Sequence, residues 1–144
     1  MQGKTMLLVV ALGMSGCVTV PDSPTELVET ATNVRDYCYQ LPPEEVRSRI
    51  ENLLSNCYGE VETAIPIGAT YAPIKAGYQV INEVLPDGNR YSVRNHAGFT
   101  FSVDVLAGDQ YCETRVHMYA VTGLWEETFT AVNHAVNGRE VACP

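Results

Sequence analysis

The second half of the chain alternates apolar and polar residues, which is the pattern of strands with one dry and one wet face. Segments 78–85 and 90–95 flank a Pro-Asp-Gly turn at residues 86–88, so we predict a hairpin there. Segment 99–105 alternates with a period of two, and segment 112–120 does the same after a turn at residues 107–110. The four runs predict a four-stranded antiparallel meander with one solvated face.

Two further segments have the periodicity of amphipathic helices. The first begins at Pro42 and Pro43, which are tolerated only at a helix start, and its apolar stripe is Val46, Ile50, Leu53, Leu54 and Cys57. The second ends at Asn137-Gly138, and its apolar stripe is Trp125, Phe129, Val132 and Val136. Because this stripe and the dry sheet face each need a cover, the predicted fold is α+β. It has an N-terminal helix, a four-stranded antiparallel meander and a long C-terminal helix packed on one sheet face.

The first 16 residues have the order of a secretory signal. Lys4 precedes an apolar run at residues 6–12, and small residues follow it. The run is far shorter than the roughly 20 residues that cross a bilayer. Met14-Ser15-Gly16-Cys17 resembles the lipobox of bacterial lipoproteins. The resemblance implies cleavage before Cys17 and attachment of fatty acyl chains such as palmitate to that cysteine. The alternative is an ordinary secretory signal with an incidental cysteine.

The same resemblance implies a location. Asp after the lipidated cysteine marks retention in the inner membrane in enterobacterial lipoproteins, whereas this chain has Val18. We therefore expect a lipid-anchored protein of the bacterial cell envelope, in the outer membrane and facing the periplasm. Several acyl chains on Cys17 would hold it there stably. The order of helix, meander and C-terminal helix also resembles helix-grip domains and small proteobacterial lipoproteins, and this likeness implies no activity.

Removal of residues 1–16 leaves 144 − 16 = 128 residues, enough for one domain with its own hydrophobic core. Residues 17–37 are read as the lipidated N-terminus and a linker, because the segment after Cys17 is polar and contains Pro21 and Pro24. A short helix is also compatible with its spacing of apolar residues. Residues 38–144 are read as a single disulfide-bonded domain. The net charge moves from −8 to −9 as Lys4 is lost, which argues against nucleic acid as a partner.

Apart from Cys17, the chain has four cysteines, an even set in a compartment that permits disulfides. A strand of about ten residues rises roughly 33 Å and a helix of about 14 residues returns roughly 21 Å. The residues after Gly138 supply much of the difference, so we predict a Cys112–Cys143 disulfide and, by elimination, a Cys38–Cys57 disulfide. Four cysteines permit three pairings. A zinc site is the weaker alternative, since no pair has the spacing of a zinc knuckle.

The sequence contains no convincing catalytic group or cofactor motif, so we expect neither enzymatic activity nor a cofactor nor a metal. The three histidines lack a supporting local motif, and the paired glutamates are helix-dipole partners. Amphipathic residues on the expected wet sheet face suit a contact surface, although ordinary cross-strand pairing explains them too. These candidates are Tyr91, Arg94, Tyr111, Arg115, His117 and Tyr119.

These observations lead to one hypothesis and one alternative. The hypothesis is a membrane-anchored, non-enzymatic structural or interaction module. Its wet sheet face or the segment 60–77, read as a long irregular loop with a possible short strand, would contact another envelope protein or the cell wall. The alternative is a carrier of small apolar ligands with a pocket between the sheet and the C-terminal helix.

Overall fold

The computed structural model describes residues 19–144, with only the backbone described at residues 61–63, 65 and 73–76. Cys17 and the other residues that resemble a lipobox lie outside the described residues. In the described range, no helix is both long and apolar enough to span a bilayer. The elements of this range are α1 (Pro24–Thr30), β1 (Asn33–Tyr39), α2 (Pro43–Cys57), β2 (Glu60–Ile67), β3 (Thr70–Gly77), β4 (Gln79–Leu85), β5 (Gly88–Asn95), β6 (Gly98–Asp109), β7 (Cys112–Ala120), a 3₁₀ turn (Gly123–Trp125) and α3 (Glu126–Val136).

The predicted mixed α+β fold is confirmed, with the C-terminal helix α3 on the sheet, but the predicted strand count is wrong. Strands β4 to β7 form the expected antiparallel meander, and β1 adds a fifth strand beside β7 in the order β1-β7-β6-β5-β4. The pairing of β1 with β7 is antiparallel. A two-stranded sheet, β2-β3, stands apart from it within the described residues. The sheet is thus wider than the alternation of the second half alone predicts.

Most of the segment read as a linker is part of the folded body. The Ser23 side chain accepts a hydrogen bond from the Glu26 backbone N–H at 3.1 Å and so caps α1, whose Leu27 is fully buried. Before α1, the Pro21 carbonyl accepts from the Phe99 N–H at 2.8 Å. Gly98 permits this contact, because its φ is 136° and a Cβ there would lie 2.4 Å from the Pro21 oxygen. The folded domain therefore begins well before the expected boundary at Cys38.

The hydrophobic core lies between one sheet face and the helices α2 and α3. Alternate residues of β7 are buried, from Cys112 to Ala120, as the period of two predicts. Each large apolar side chain that is fully buried stabilises the fold by about 1.5–3 kcal/mol. The largest of those in this core are Phe101, Phe129, Ile50, Leu54 and Met118.

Helices α2 and α3 are joined by polar contacts as well as by the core. Arg49 of α2 forms an ion pair with Glu45 and also donates to the Val136 carbonyl at the end of α3. The last carbonyl groups of a helix have no N–H donor within the helix, and Arg49 supplies one to Val136. Helix α3 ends as predicted, with Gly138 in the left-handed region at φ 72°. The two helices therefore form one layer.

The two disulfides differ from the predicted pairs. Cys38 is bonded to Cys112 and Cys57 to Cys143, with Cα–Cα distances of 5.5 and 5.2 Å. The predicted pairings of Cys112 with Cys143 and of Cys38 with Cys57 are therefore wrong. The reason is β1, which runs along β7 and brings Cys38 close to the start of that strand. The C-terminal tail is then bonded to the last residue of α2 instead.

The segment 60–77 is a regular β-hairpin, and its reading as an irregular loop is wrong. Strands β2 and β3 pair over their full lengths, from Glu60 opposite Gly77 to Ile67 opposite Thr70. Pro66 and Pro73 do not break it, because each strand of a two-stranded hairpin has an open edge where a missing N–H is tolerated. We call residues 60–77 the arm, and the rest of the described chain the body.

Candidate contact surfaces

Three of the six predicted contact residues lie together on the sheet face that points away from α2 and α3, here called the open face. Arg115, His117 and Tyr119 alternate along β7 with residues whose side chains enter the core. Burial raises the pKa of the Tyr119 phenol, and the nearby Asp104 carboxylate adds to this shift. These three residues therefore lie together as one patch of the open face.

The other three do not join that patch. Tyr91 is only 3% exposed and belongs to the core, since it lies opposite Val103 on the helix-covered face. Its place in the predicted contact surface is wrong. Arg94 is exposed, but its guanidinium lies 5.5 Å from the centre of the Phe99 ring, after a register shift in β5. Tyr111 is exposed in the turn before β7, and its carbonyl accepts from Gln40 at 2.8 Å.

The open face carries a row of titratable residues, three acidic ones alternating with a histidine and an arginine, that crosses all five strands of the main sheet. Direct cross-strand neighbours join each residue to the next, so the row follows the hydrogen-bonding direction. From β1 to β4 its members are Asp36, His117, Asp104, Arg90 and Glu83. The row was not predicted from the sequence. It depends on strand β1, which carries Asp36, and on the register in which the other four strands pair.

The centre of the row is a nearly buried ion pair. Arg90 donates from Nε and Nη2 to the two carboxylate oxygens of Asp104, at 2.6 and 2.7 Å. These bonds raise the pKa of Arg90, and burial opposes the shift. Beside it, the Ser92 and Ser102 hydroxyls are fully buried and 2.7 Å apart. These groups satisfy one another, which is the arrangement of a stabilising network.

The histidines are placed separately. His117 contacts the Asp36 carboxylate through Nδ1, His96 is exposed in the turn before β6, and His134 lies in the last turn of α3. Among residues 19–144, no three His, Cys, Asp or Glu side chains come close enough together to hold a metal ion.

Aromatic rings fill the space between the sheet and the start of α3. The Phe101 ring stacks on Trp125 with centroids 5.6 Å apart and lies 5.8 Å from Phe129. Tyr58 and Tyr78 close the cluster at 5.5 and 5.9 Å from Trp125. The Tyr58 hydroxyl, whose pKa is raised by burial, is 2.6 Å from the Thr128 hydroxyl. These rings therefore pack against one another between the sheet and the start of α3.

The arm is the part of the described chain with the least support from its surroundings. It packs chiefly on itself, and each of its strands has one edge that no other described strand pairs with. Eight residues per strand give it a length of about 26 Å. At its tip Ile67 is 56% and Tyr71 74% exposed. At its base, Gln79 of β4 donates to the Glu60 carboxylate.

This geometry has a physical consequence. A lone two-stranded hairpin is marginally stable in water, because it has no third strand or helix to cover a face. Its open edges also offer backbone groups to another strand. A usable sequence signal for the first strand of this hairpin was a β-branched residue at every second position before Gly68, namely Val61, Thr63, Ile65 and Ile67.

A comparison of the chain with protein-family models, with curated proteins and with solved structures found no match.

Proposed function

We propose that this chain is a lipid-anchored, non-enzymatic protein of the bacterial envelope that binds another envelope protein through the arm. The single observation that carries the proposal is an arm of two eight-residue strands that rests mainly on itself and exposes Ile67 and Tyr71. A partner that adds a strand to an open edge, or covers the tip, would supply the support that the body does not.

The lipid anchor is supported by the lipobox pattern and by the cysteines. Both cysteine pairs lie at disulfide distance, which fits an oxidising compartment such as the periplasm. The proposal places Cys17 on the periplasmic side of the outer membrane. The absence of enzymatic activity is supported by the pairing of the polar groups on the open face with one another. The aromatic filling under α3 gives no reason to prefer an apolar-ligand carrier.

Site-specific photo-crosslinking in intact cells tests the proposal. A photoreactive amino acid is placed at Tyr71 in the arm, at Arg115 on the open face and, as the control, at Asn56, an exposed position of α2. We expect one discrete protein adduct from Tyr71 and none from Asn56. The adduct should disappear when residues 61–76 are replaced by a two-residue turn, while the body retains its circular dichroism spectrum.

The possible results separate the two candidate surfaces. A discrete adduct from Arg115 with none from Tyr71 would move the contact to the open face and contradict the role of the arm. Adducts with lipid alone, or none at either position, would contradict a protein partner.

A further inference from the structure

One end of the main sheet collects the first described residues and the chain after β7. The strand register places Asn33, Ala120 and Phe101 side by side at this end. At this end the Pro21 carbonyl accepts a hydrogen bond from the Phe99 N–H. Thr19 lines a groove together with Thr122. We call this end of the sheet the tether end.

The chain is short between the proposed lipid and the tether end. Cys17 precedes Thr19 by two residues, and an extended chain covers at most about 3.6 Å per residue. Two extended residues therefore span at most about 7 Å. An acyl chain on Cys17 would leave the body almost no distance from the bilayer surface, and the tether end would be the nearest part.

The tether end also exposes a large apolar side chain on a fixed piece of backbone. Leu124 is 89% exposed in the 3₁₀ turn Gly123–Trp125. The turn is held on both sides, because Trp125 stacks on Phe101 and the Val121 carbonyl accepts from the Thr32 hydroxyl at 2.8 Å. Leu is a favourable residue in the apolar part of a bilayer. At this exposure the Leu124 side chain contributes little to the packing of the body.

The charges around the tether end select the kind of lipid. Glu26 lines the same groove as Thr19, and Asp22 and Glu29 are exposed nearby in the chain. The adjacent Arg35 is paired with Glu126. Arg94 is exposed at the same end, over the Phe99 ring, and the three carboxylates outnumber it. Anionic headgroups would be repelled by this end, whereas zwitterionic headgroups would not.

From these observations we infer that the tether end faces the membrane and that Leu124 inserts into a zwitterionic lipid surface. The inference rests on the proposed lipidation of Cys17. It adds an orientation to the anchor, with the 3₁₀ turn as a second point of contact. The base of the arm leaves the body at the same end, where β4 begins at Gln79.

Fluorescence quenching on vesicles tests the orientation. Full-length lipidated Leu124→Cys and Val84→Cys proteins are labelled with an environment-sensitive thiol dye and reconstituted into phosphatidylcholine vesicles whose acyl chains carry bromine. Val84 is the matched control, since it is an 86% exposed apolar residue near the end of β4 that lies away from the tether end. We expect at least threefold stronger quenching at position 124 than at position 84. The difference should shrink when a third of the lipid is anionic.

The outcomes distinguish the orientation from the anchor. Equal quenching at the two positions on a protein that floats with the vesicles would overturn the orientation and leave the anchor standing. A protein purified from membranes with an unmodified thiol at Cys17 would contradict the anchor, and the orientation would fall with it. Wild-type protein treated with the same dye is the labelling control and should give no fluorescence. Both cysteine variants should retain their two disulfides, so that the dye is attached only at the chosen positions.

Discussion

The body and the arm are built from similar strand-forming residues, yet they are stabilised in different ways. In the body, five strands share a face that α2 and α3 cover, and Phe101, Val103 and Val105 have no exposed surface. In the arm, two strands hold each other through backbone pairing, and the tip residues Ile67 and Tyr71 remain in solvent. The comparison teaches that backbone pairing alone builds a strand, whereas burial on a second layer makes it stable.

The largest expected effect comes from opening the core of the body. We expect Phe101→Ala to lower the free energy of unfolding by about 3–5 kcal/mol, because it removes a fully buried ring beneath Trp125 and Phe129. Denaturant unfolding followed by Trp125 fluorescence measures it. The matched change in the arm is Tyr71→Ala, expected to change the same quantity by less than about 0.5 kcal/mol. Similar losses at both positions would remove the distinction between body and arm.

The next effect comes from the disulfides, both of which lie in the body. We expect the double variant Cys38→Ala with Cys112→Ala to lose about 2–4 kcal/mol of stability, since the bond closes a long loop of the unfolded chain. The double variant Cys57→Ala with Cys143→Ala should lose a similar amount. Mapping of an unreduced digest checks the pairing directly. A peptide that joins Cys38 to Cys57 would contradict the fold at β1.

A smaller effect is expected from the buried tyrosines at alkaline pH. Burial raises the pKa of Tyr39, and the neighbouring Tyr37 adds to the shift. The unfolded chain therefore ionises at this residue first, near pH 10, so its contribution to stability is present below that pH and is lost as the pH rises above it. We expect Tyr39→Phe to flatten the fall of unfolding free energy above about pH 10.

At neutral pH this variant should be less stable by roughly 1 kcal/mol, since the Tyr39 hydroxyl donates to Asn133 at 2.9 Å. Tyr71→Phe in the arm is the control for the alkaline slope, because its side chain is exposed. An unchanged dependence of unfolding free energy on pH in Tyr39→Phe would contradict the rise in pKa that burial gives this phenol.

The contrast between body and arm also explains which elements could be predicted from the sequence. The meander and α3 were predictable, because each buries one face and so shows a clear period of two or of 3.6 residues. Strand β1 was missed because it is an edge strand in which only Tyr39 is buried, which leaves little alternation to read. Since β1 places Cys38, both disulfide pairings were wrong as a consequence. The hairpin of the arm was hidden by Pro66 and Pro73, which its open edges tolerate.

The contact surfaces were only partly predictable. Arg115, His117 and Tyr119 follow from the alternation of one strand, whereas the row of titratable residues also needs the register of four neighbouring strands. Tyr91 was misplaced because a tyrosine suits both a surface and a core. Its spacing from Val93 puts it on the buried face. Sequence periodicity thus assigns faces within a strand, and pairing decides which residues meet.

The most direct test of the arm as a binding element is amide hydrogen exchange, measured on the purified protein and on the same protein in isolated cell envelopes. The account predicts fast exchange in residues 60–77 and slow exchange in β5 to β7 for the purified protein. In envelopes, it predicts at least tenfold slower exchange in the arm and no change in the body. Arm amides that exchange as slowly as those of the body in the purified protein, or equally fast in both samples, would contradict it.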